Sequence, residues 1–218
     1  VALEMITRGW LVFSDGFTVS SVYGVGKRAL DILSSGTLLL ATFPIMILTA
    51  IAIKLEDGLK APVIYSQERV GLNNQVFKVH KFRSMITDAE KNGAVWAQKN
   101  DTRVTRVGEF IRKVRIDELP QLINVIRGEM SFIGPRPERP EFIETLAADV
   151  PYFQERLMVR PGLTGWAQVN YPYGSTVEDA RRKLEFDLYY LKHMGVFLDM
   201  LILLDTFRIV LKGSLWGN

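Results

Sequence analysis

The chain has 218 residues, enough for one sizeable domain or a domain with an appendage. It has no cysteine, which excludes a disulfide framework and a thiolate metal site, and its two histidines, His80 and His193, are too few for a His-rich metal centre. Its 27 Lys and Arg against 24 Asp and Glu give a net charge of +3. That mild bias permits an anionic partner such as a membrane surface or a nucleotide, but it lacks the clustered basic run of a nucleic-acid-binding module.

The first residue is Val, which suggests a processed or truncated piece of a longer chain. Residues 1–25 are mixed and read as a short strand or amphipathic lead-in, with no signal-peptide cleavage pattern. Ile32 to Ile53 then run for 22 residues without a charge. As a straight helix this run reaches roughly 33 Å, about the thickness of a bilayer core. A buried core helix is the competing reading. Pro44 lies mid-run and predicts a break, because proline removes a backbone hydrogen bond. The flanks are basic on both sides, Lys27 and Arg28 before and Lys54 and Lys60 after, so neither end is favoured for export. A re-entrant membrane helix over residues 26–58, broken at Pro44 and returning to the face it entered, satisfies both observations. Ser34, Ser35, Thr37 and Thr42 could cover carbonyls freed near the break.

Residues 59–218 read as one small α+β domain, mainly helical. Val63–Val70 and Gln75–Phe82 are two strands of a hairpin joined by Gly71–Asn74. Residues 86–106 are polar and read as a surface excursion, or a short helix and loop. Val107, Phe110, Ile111 and Val114 follow helical spacing, and Leu119, Leu122, Ile123 and Ile126 repeat it before Gly128. Asp117 and Glu118 therefore mark the start of a second helix. Residues 131–140 hold three prolines and Gly134 and form a fixed loop, followed by a helix from about Glu141 to Ala148. Val159 to Tyr173 is a second Pro/Gly-rich loop, unusually apolar for a solvated linker. Ser175 to Glu178 has the pattern of a capping box, opening a helix to about His193. Phe197 to Leu211 is apolar nearly all round apart from Asp199, Asp205 and Arg208, and suits either a core helix or one lying in a membrane interface.

The stretch around which the chemistry gathers is Arg112-Lys113-Val114-Arg115-Ile116-Asp117-Glu118. Two adjacent carboxylates stand directly behind three cations. Asp at a helix start is a preferred cap, and acidic residues complement a helix N-terminus, so a purely structural role is open. The sharper reading is a carboxylate nucleophile or metal ligand facing an anionic substrate. Cations elsewhere favour it: Lys81, Arg83, Arg136 between Pro135 and Pro137, and Arg160 before Pro161-Gly162. An arginine in a proline-braced loop has a restricted direction for its planar fork, which suits bidentate phosphate recognition. Such a set suggests a phosphate or pyrophosphate site. Magnesium fits it best, since it uses one or two carboxylates and substrate phosphates.

These residues also carry a resemblance. Lys27–Asp31 opens the apolar run, and Gln67–Gly71, Lys81–Met85, Asp117–Gln121, Met130–Pro137, Val159–Asn170 and Asp187–Tyr190 follow in order over roughly residues 27–213. Together they resemble the bacterial sugar transferases, monotopic polyprenyl-phosphate phosphoglycosyl transferases. Trp96–Asp101 and Asn170–Gly174 look like the exopolysaccharide-associated branch. The resemblance implies transfer of a sugar-1-phosphate from a UDP-sugar to undecaprenyl phosphate, with release of UMP, at the cytoplasmic face of the bacterial inner membrane. It implies Asp117 as the nucleophile that forms an aspartyl-phosphosugar, and Asp117 and Glu118 as ligands of Mg²⁺. Arg136 would contact the nucleotide, Arg112 and Arg160 would hold phosphate oxygens, and Lys81, Arg83 and Gln168 would complete the substrate site. Membrane lipid and a second copy of the chain are the further partners it allows. Relatives with several transmembrane helices carry a front end that residues 1–25 do not supply. The alternative reading is a non-catalytic, membrane-anchored scaffold that binds anionic lipid, and UMP release separates the two.

Overall fold

The computed structural model describes residues 21–87, 89, 101–172, 174 and 176–212. Residues 1–20 of the expected lead-in over 1–25, and residues 88 and 90–100 of the polar excursion over 86–106, lie outside them, while residues 21–25 open the first helix instead. The fold is mainly helical, with two small sheets. Its first element, α1, is a single helix from Ser21 to Asp57. Among the described residues it is the one helix long and apolar enough to cross a membrane. Leu33, Leu40, Phe43 and Leu48 on it are more than half exposed, so its middle is not a core helix of this domain.

The expected break at Pro44 is not there: α1 is continuous through it. A proline deletes a single N–H, and the turns on either side keep their own bonds, so a long helix can carry one. Nearby, Thr42 and Thr49 turn back onto the carbonyls of Leu38 and Ile45. Both ends of α1 are tied to the rest of the chain. Near its start, Lys27 and Tyr23 bond the carboxylate of Asp199 at 2.9 and 2.8 Å. Buried Asp31 accepts from the Ser131 hydroxyl and the Phe132 N–H. At its end, Ile53 packs with Phe82 and Ile111, and Asp57 pairs with Arg83 at 2.6 Å.

The hairpin lies where the two apolar runs place it. Strands β1 (Ile64–Val70) and β2 (Val76–Phe82) pair antiparallel from Ile64↔Phe82 to Val70↔Val76. Between them Asn73 and Asn74 take left-handed backbone angles, which asparagine tolerates better than most residues. Helix α2 (Arg106–Lys113) is capped twice. The Thr105 hydroxyl accepts from Gly108 N–H, and the Glu56 carboxylate, from the last turn of α1, accepts from the N–H groups of Arg106 and Val107. Those first-turn donors have no partner inside their own helix. Gly108 has no room for a side chain: a Cβ there would lie 2.0 Å from the Ser84 carbonyl oxygen, so α2 is drawn tightly against the segment after β2.

The second helix of the corner, α3, starts later than the spacing suggests. A 3-10 turn covers Ile116–Glu118, Pro120 stands at the cap position, and α3 runs from Gln121 to Arg127. It ends on Gly128 with φ 88, a left-handed stop. Arg28 of α1 donates to the carbonyls of Val125 and Ile126 at that end, satisfying acceptors the helix leaves open.

The two Pro/Gly-rich stretches are not wholly loops. Ser131–Ile133 (β3) and Gly162–Thr164 (β4) form a short parallel pair, and Trp166–Asn170 is a short helix, α5. Alternation over three residues is too brief to read from sequence. Helix α4 (Pro140–Asp149) follows the first stretch, and α6 (Val177–Lys192) follows the second. The box that opens α6 uses Thr176 and Asp179, one residue along from the expected pair. The last helix, α7 (Val196–Lys212), buries Leu198 and Ile202 against Tyr190 and Leu191. Its outer face exposes Phe197, Met200, Leu204 and Phe207, an apolar stripe at helical spacing.

Asp31 is the buried tie between α1 and β3. Asp31→Ala would leave the Ser131 hydroxyl and the Phe132 N–H without their acceptor, at an expected cost of about 1–3 kcal/mol. A lowered Tm of the detergent-solubilised protein is the expected result, and an unchanged Tm would show that α1 is not held there.

Candidate active site

Asp117 and Glu118 sit at the corner between α2 and α3. The chain turns that corner because Arg115 adopts a left-handed conformation, φ 61 and ψ 17, immediately after α2. The 3-10 turn then carries both carboxylates inward, leaving them 7% and 9% exposed. Neither caps a helix through its side chain. The capping explanation for Asp117 is therefore removed, and a buried carboxylate needs another reason to be there.

The two carboxylates have opposite surroundings. Glu118 Oε1 lies 2.9 Å from Arg136, 3.2 Å from Lys81 and 3.7 Å from Arg115. Burial, the largest influence, would raise its pKa, but Arg136, Lys81 and Arg115 together hold it below the ordinary glutamate range. Asp117 has no such partner. Its Oδ1 is buried and takes no hydrogen bond from the described residues. Burial, and next the charge of Glu118, push the Asp117 carboxyl up to about 6, against the pull of Lys81, Arg115 and Arg112. Burial also lowers Lys81 from its usual value, against the attraction of Glu118. Four cations thus face two carboxylates, a formal excess of two positive charges suited to a dianionic group.

Separate elements bring these groups together. Lys81 comes from β2, opposite Tyr65 of β1. The strand is laced to α3 by Asn124, fully buried, which accepts from the His80 N–H and donates to the Lys78 carbonyl. Arg136 comes from the loop after β3. Arg112, on the last turn of α2, donates its Nε–H to the Ser84 hydroxyl 2.8 Å away and is within electrostatic reach of Asp117.

The remaining candidates are placed elsewhere. Arg83 is buried and engaged by Asp57 and Thr87. Arg160 is exposed and donates to the Gly128 carbonyl. Gln168 lies on α5, donates to the Leu163 carbonyl, and keeps a buried Oε1 without a donor. No described contact brings these three to the carboxylate pair. Asn124 is the residue that sequence reasoning passed over. Arg115 stood among the candidate cations beside Arg112 but without a role of its own, and its left-handed turn is what brings it to Glu118. Asn124 carries no local signal, because its partners lie more than 40 residues away.

The donor set bears on a metal. Among the described residues no group of three or more His, Cys, Asp or Glu could hold one. A cage built wholly from protein is therefore not offered. Two carboxylates with one unpaired buried oxygen do fit magnesium, which completes its shell with water and substrate phosphates.

A family model described as bacterial sugar transferase matches residues 22–213. A UDP-N-acetylgalactosamine-undecaprenyl-phosphate N-acetylgalactosaminephosphotransferase of Aeromonas hydrophila is 46% identical over 194 residues, covering 89% of this chain and 45% of that protein. An undecaprenyl-phosphate glucose phosphotransferase of Komagataeibacter xylinus is 44% identical over 188 residues, 84% of this chain and 35% of its own. A UDP-glucose:undecaprenyl-phosphate glucose-1-phosphate transferase of Escherichia coli K12 is 40% identical over 197 residues, 89% and 41% respectively. The chain thus spans less than half the length of each of these relatives.

The unequal surroundings of the pair make a titration the direct check. Glu118→Gln removes the charge that helps raise Asp117 and leaves the pull of Lys81, Arg115 and Arg112 on it. The Asp117 midpoint, followed by carboxyl-carbon NMR, is expected to fall from its elevated position. A midpoint that stays or rises would mean the two carboxylates are not coupled.

Proposed function

The chain belongs to the bacterial sugar transferase family, and on that premise we propose that it transfers a sugar-1-phosphate from a UDP-sugar to undecaprenyl phosphate, releasing UMP. The observation that carries this reading is the division of labour at the corner. One buried carboxylate, Glu118, is neutralised by three cations, while its neighbour Asp117 keeps an oxygen free.

The reaction takes two displacements. Asp117 Oδ1 attacks the phosphorus that bears the sugar, a P–O bond forms, and the bond to the α-phosphate oxygen breaks. UMP departs with that electron pair, leaving an aspartyl-phosphosugar. A phosphate oxygen of the lipid acceptor then attacks the same phosphorus and displaces Asp117. Little else need be done to the substrate, because phosphoryl transfer depends mainly on positioning and charge neutralisation. Lys81, Arg115 and Arg136 supply positive charge around the transferring group, and Arg136 in its proline-braced loop orients the nucleotide phosphates. Arg112 adds charge from the α2 side. When bound, Mg²⁺ would neutralise phosphate oxygens, held by Asp117 and Glu118. A desolvated carboxylate is also a better nucleophile than a hydrated one, which gives the burial of Asp117 a use.

The acceptor is a lipid, so the site must lie at a bilayer surface. Three observations support this. The middle of α1 exposes apolar side chains, as does the outer stripe of α7. Both ends of α1 bind the same domain, which favours a helix whose two ends stay on one face of the bilayer over one that crosses it. An apolar groove of about 590 Å³ between α1 and α2 is lined by Ile45, Leu48, Phe110 and Ile116, the last adjoining Asp117. It offers the acceptor's hydrocarbon a path. UDP-sugars are cytoplasmic, so we place the site on the cytoplasmic face of the inner membrane.

Asp117→Asn is expected to abolish UMP release from UDP-sugars in the presence of undecaprenyl phosphate, with an unchanged Tm, because an amide cannot act as the nucleophile. Turnover near that of the wild type would overturn the covalent role. For the topology, cysteines introduced at Ser20 and Lys60 meet no native thiol. Both should resist an impermeant thiol reagent in intact cells and react after lysis, whereas labelling of the first alone from outside would mean a true span.

A further inference from the structure

The loop that presents Arg136 contains Pro135 and Pro137, neither of which has an N–H to donate. At those two positions the backbone can be fastened only through its carbonyls, and the four consecutive carbonyls from Pro135 to Glu138 are each taken by a different donor. Pro135 O accepts from Gly162 N–H at 2.8 Å, at the start of β4. Arg136 O accepts from Arg156 Nη2 at 2.8 Å. Pro137 O accepts from Arg69 Nη1 at 3.1 Å, and Glu138 O from Val70 N–H at 2.9 Å, both on β1.

The second of these fastenings has its own anchor. The guanidinium of Arg156 is 6% exposed and lies 2.9 Å from Asp187, which is 2% exposed and stands on α6. Arg156 also covers the ring of Phe153, at 5.1 Å from its centroid. The Glu138 carboxylate lies between Arg156 and Arg69, 3.8 and 3.9 Å away. A buried pair of this kind is poor value as stability alone, since desolvation offsets much of the attraction. What it does here is fix a planar fork so that one nitrogen reaches Asp187 and the Arg136 backbone together.

We propose that Arg156, anchored by Asp187, and Arg69 are positioning residues that hold the Pro135–Glu138 strap and thereby aim Arg136 at Glu118 and the donor phosphates. The proposal rests on the reading of Arg136 as a donor-phosphate ligand. Charge neutralisation at a transferring phosphoryl group tolerates little displacement, so a loosened strap costs donor binding without touching Asp117.

The test is a double-mutant cycle with the full chain in detergent or lipid nanodiscs. Arg156→Lys keeps the charge but cannot serve Asp187 and the Arg136 carbonyl with one rigid fork. It is expected to raise the UDP-sugar KM roughly ten-fold with a smaller change in kcat, and to add less than about two-fold in an Arg136→Ala background. Equal fold-changes in both backgrounds would mean that Arg156 acts on stability, and would overturn the proposal. Arg69→Lys, outside the buried pair, should behave alike and serves if Arg156→Lys does not fold. Hydrogen exchange at the Gly162 and Val70 amides, which donate to the Pro135 and Glu138 carbonyls, gives a readout that needs no activity: faster exchange there, with α6 unchanged, is expected in both variants. Unchanged exchange at both amides would overturn the strap even if KM moved. Should Arg136→Ala itself leave KM at the wild-type value, the donor-site reading fails, and the exchange data still decide the strap.

Discussion

Everything at the centre of this fold depends on the burial of one negative charge. An ionised carboxylate cannot be taken from water without compensation. Glu118 is compensated three times over, by Lys81 from β2, Arg115 from the corner and Arg136 from the loop after β3. These are separate elements, so the ion cluster is also the junction at which they meet. Among the described residues it leaves the neighbouring Asp117 as the one without a fixed partner, and burial with an adjacent negative charge then raises its pKa. A group left unsatisfied inside a protein is costly unless something else uses it, and an incoming phosphorus and its counter-charges are a suitable user.

The junction is itself held from outside. Glu56 and Asp57 at the end of α1 cap α2 and pair with Arg83. Arg28 near its start closes α3, and Asp31 binds β3. The apolar helix is thus a brace for the catalytic corner as well as the most lipid-like part of the chain. Anchoring and geometry are coupled: moving α1 would move both helices that flank the carboxylates.

How much of this could be read from the sequence varies with the range of the interaction. The hairpin, α2, α4 and α7 were legible because their signals are local periodicities. The helix start at Asp117 was misread, because a left-handed Arg115 followed by a 3-10 turn has no distinctive residue pattern. The break at Pro44 was overstated, since proline weakens a helix by one bond and the rest of α1 is strong. The strands β3 and β4 were missed, three residues being too few for a pattern. At the site, the carboxylate pair and the cations of Lys81, Arg112 and Arg136 could be proposed from residue type and the proline brace. That Arg83 serves Asp57, and that Asn124, Arg156 and Asp187 hold the site together, are long-range facts that spacing does not contain.

The central claim is that Asp117 becomes covalently linked to the sugar phosphate. Incubating the wild-type protein with a UDP-sugar and Mg²⁺ but without lipid acceptor, quenching, and mapping peptides by mass spectrometry tests it most directly. The account predicts a sugar-phosphate added to the peptide containing Asp117, one equivalent of UMP released per adduct, and loss of the adduct when undecaprenyl phosphate is supplied. UMP released only when donor and acceptor are both present, with no modified peptide, would contradict it and point to direct transfer between the two substrates.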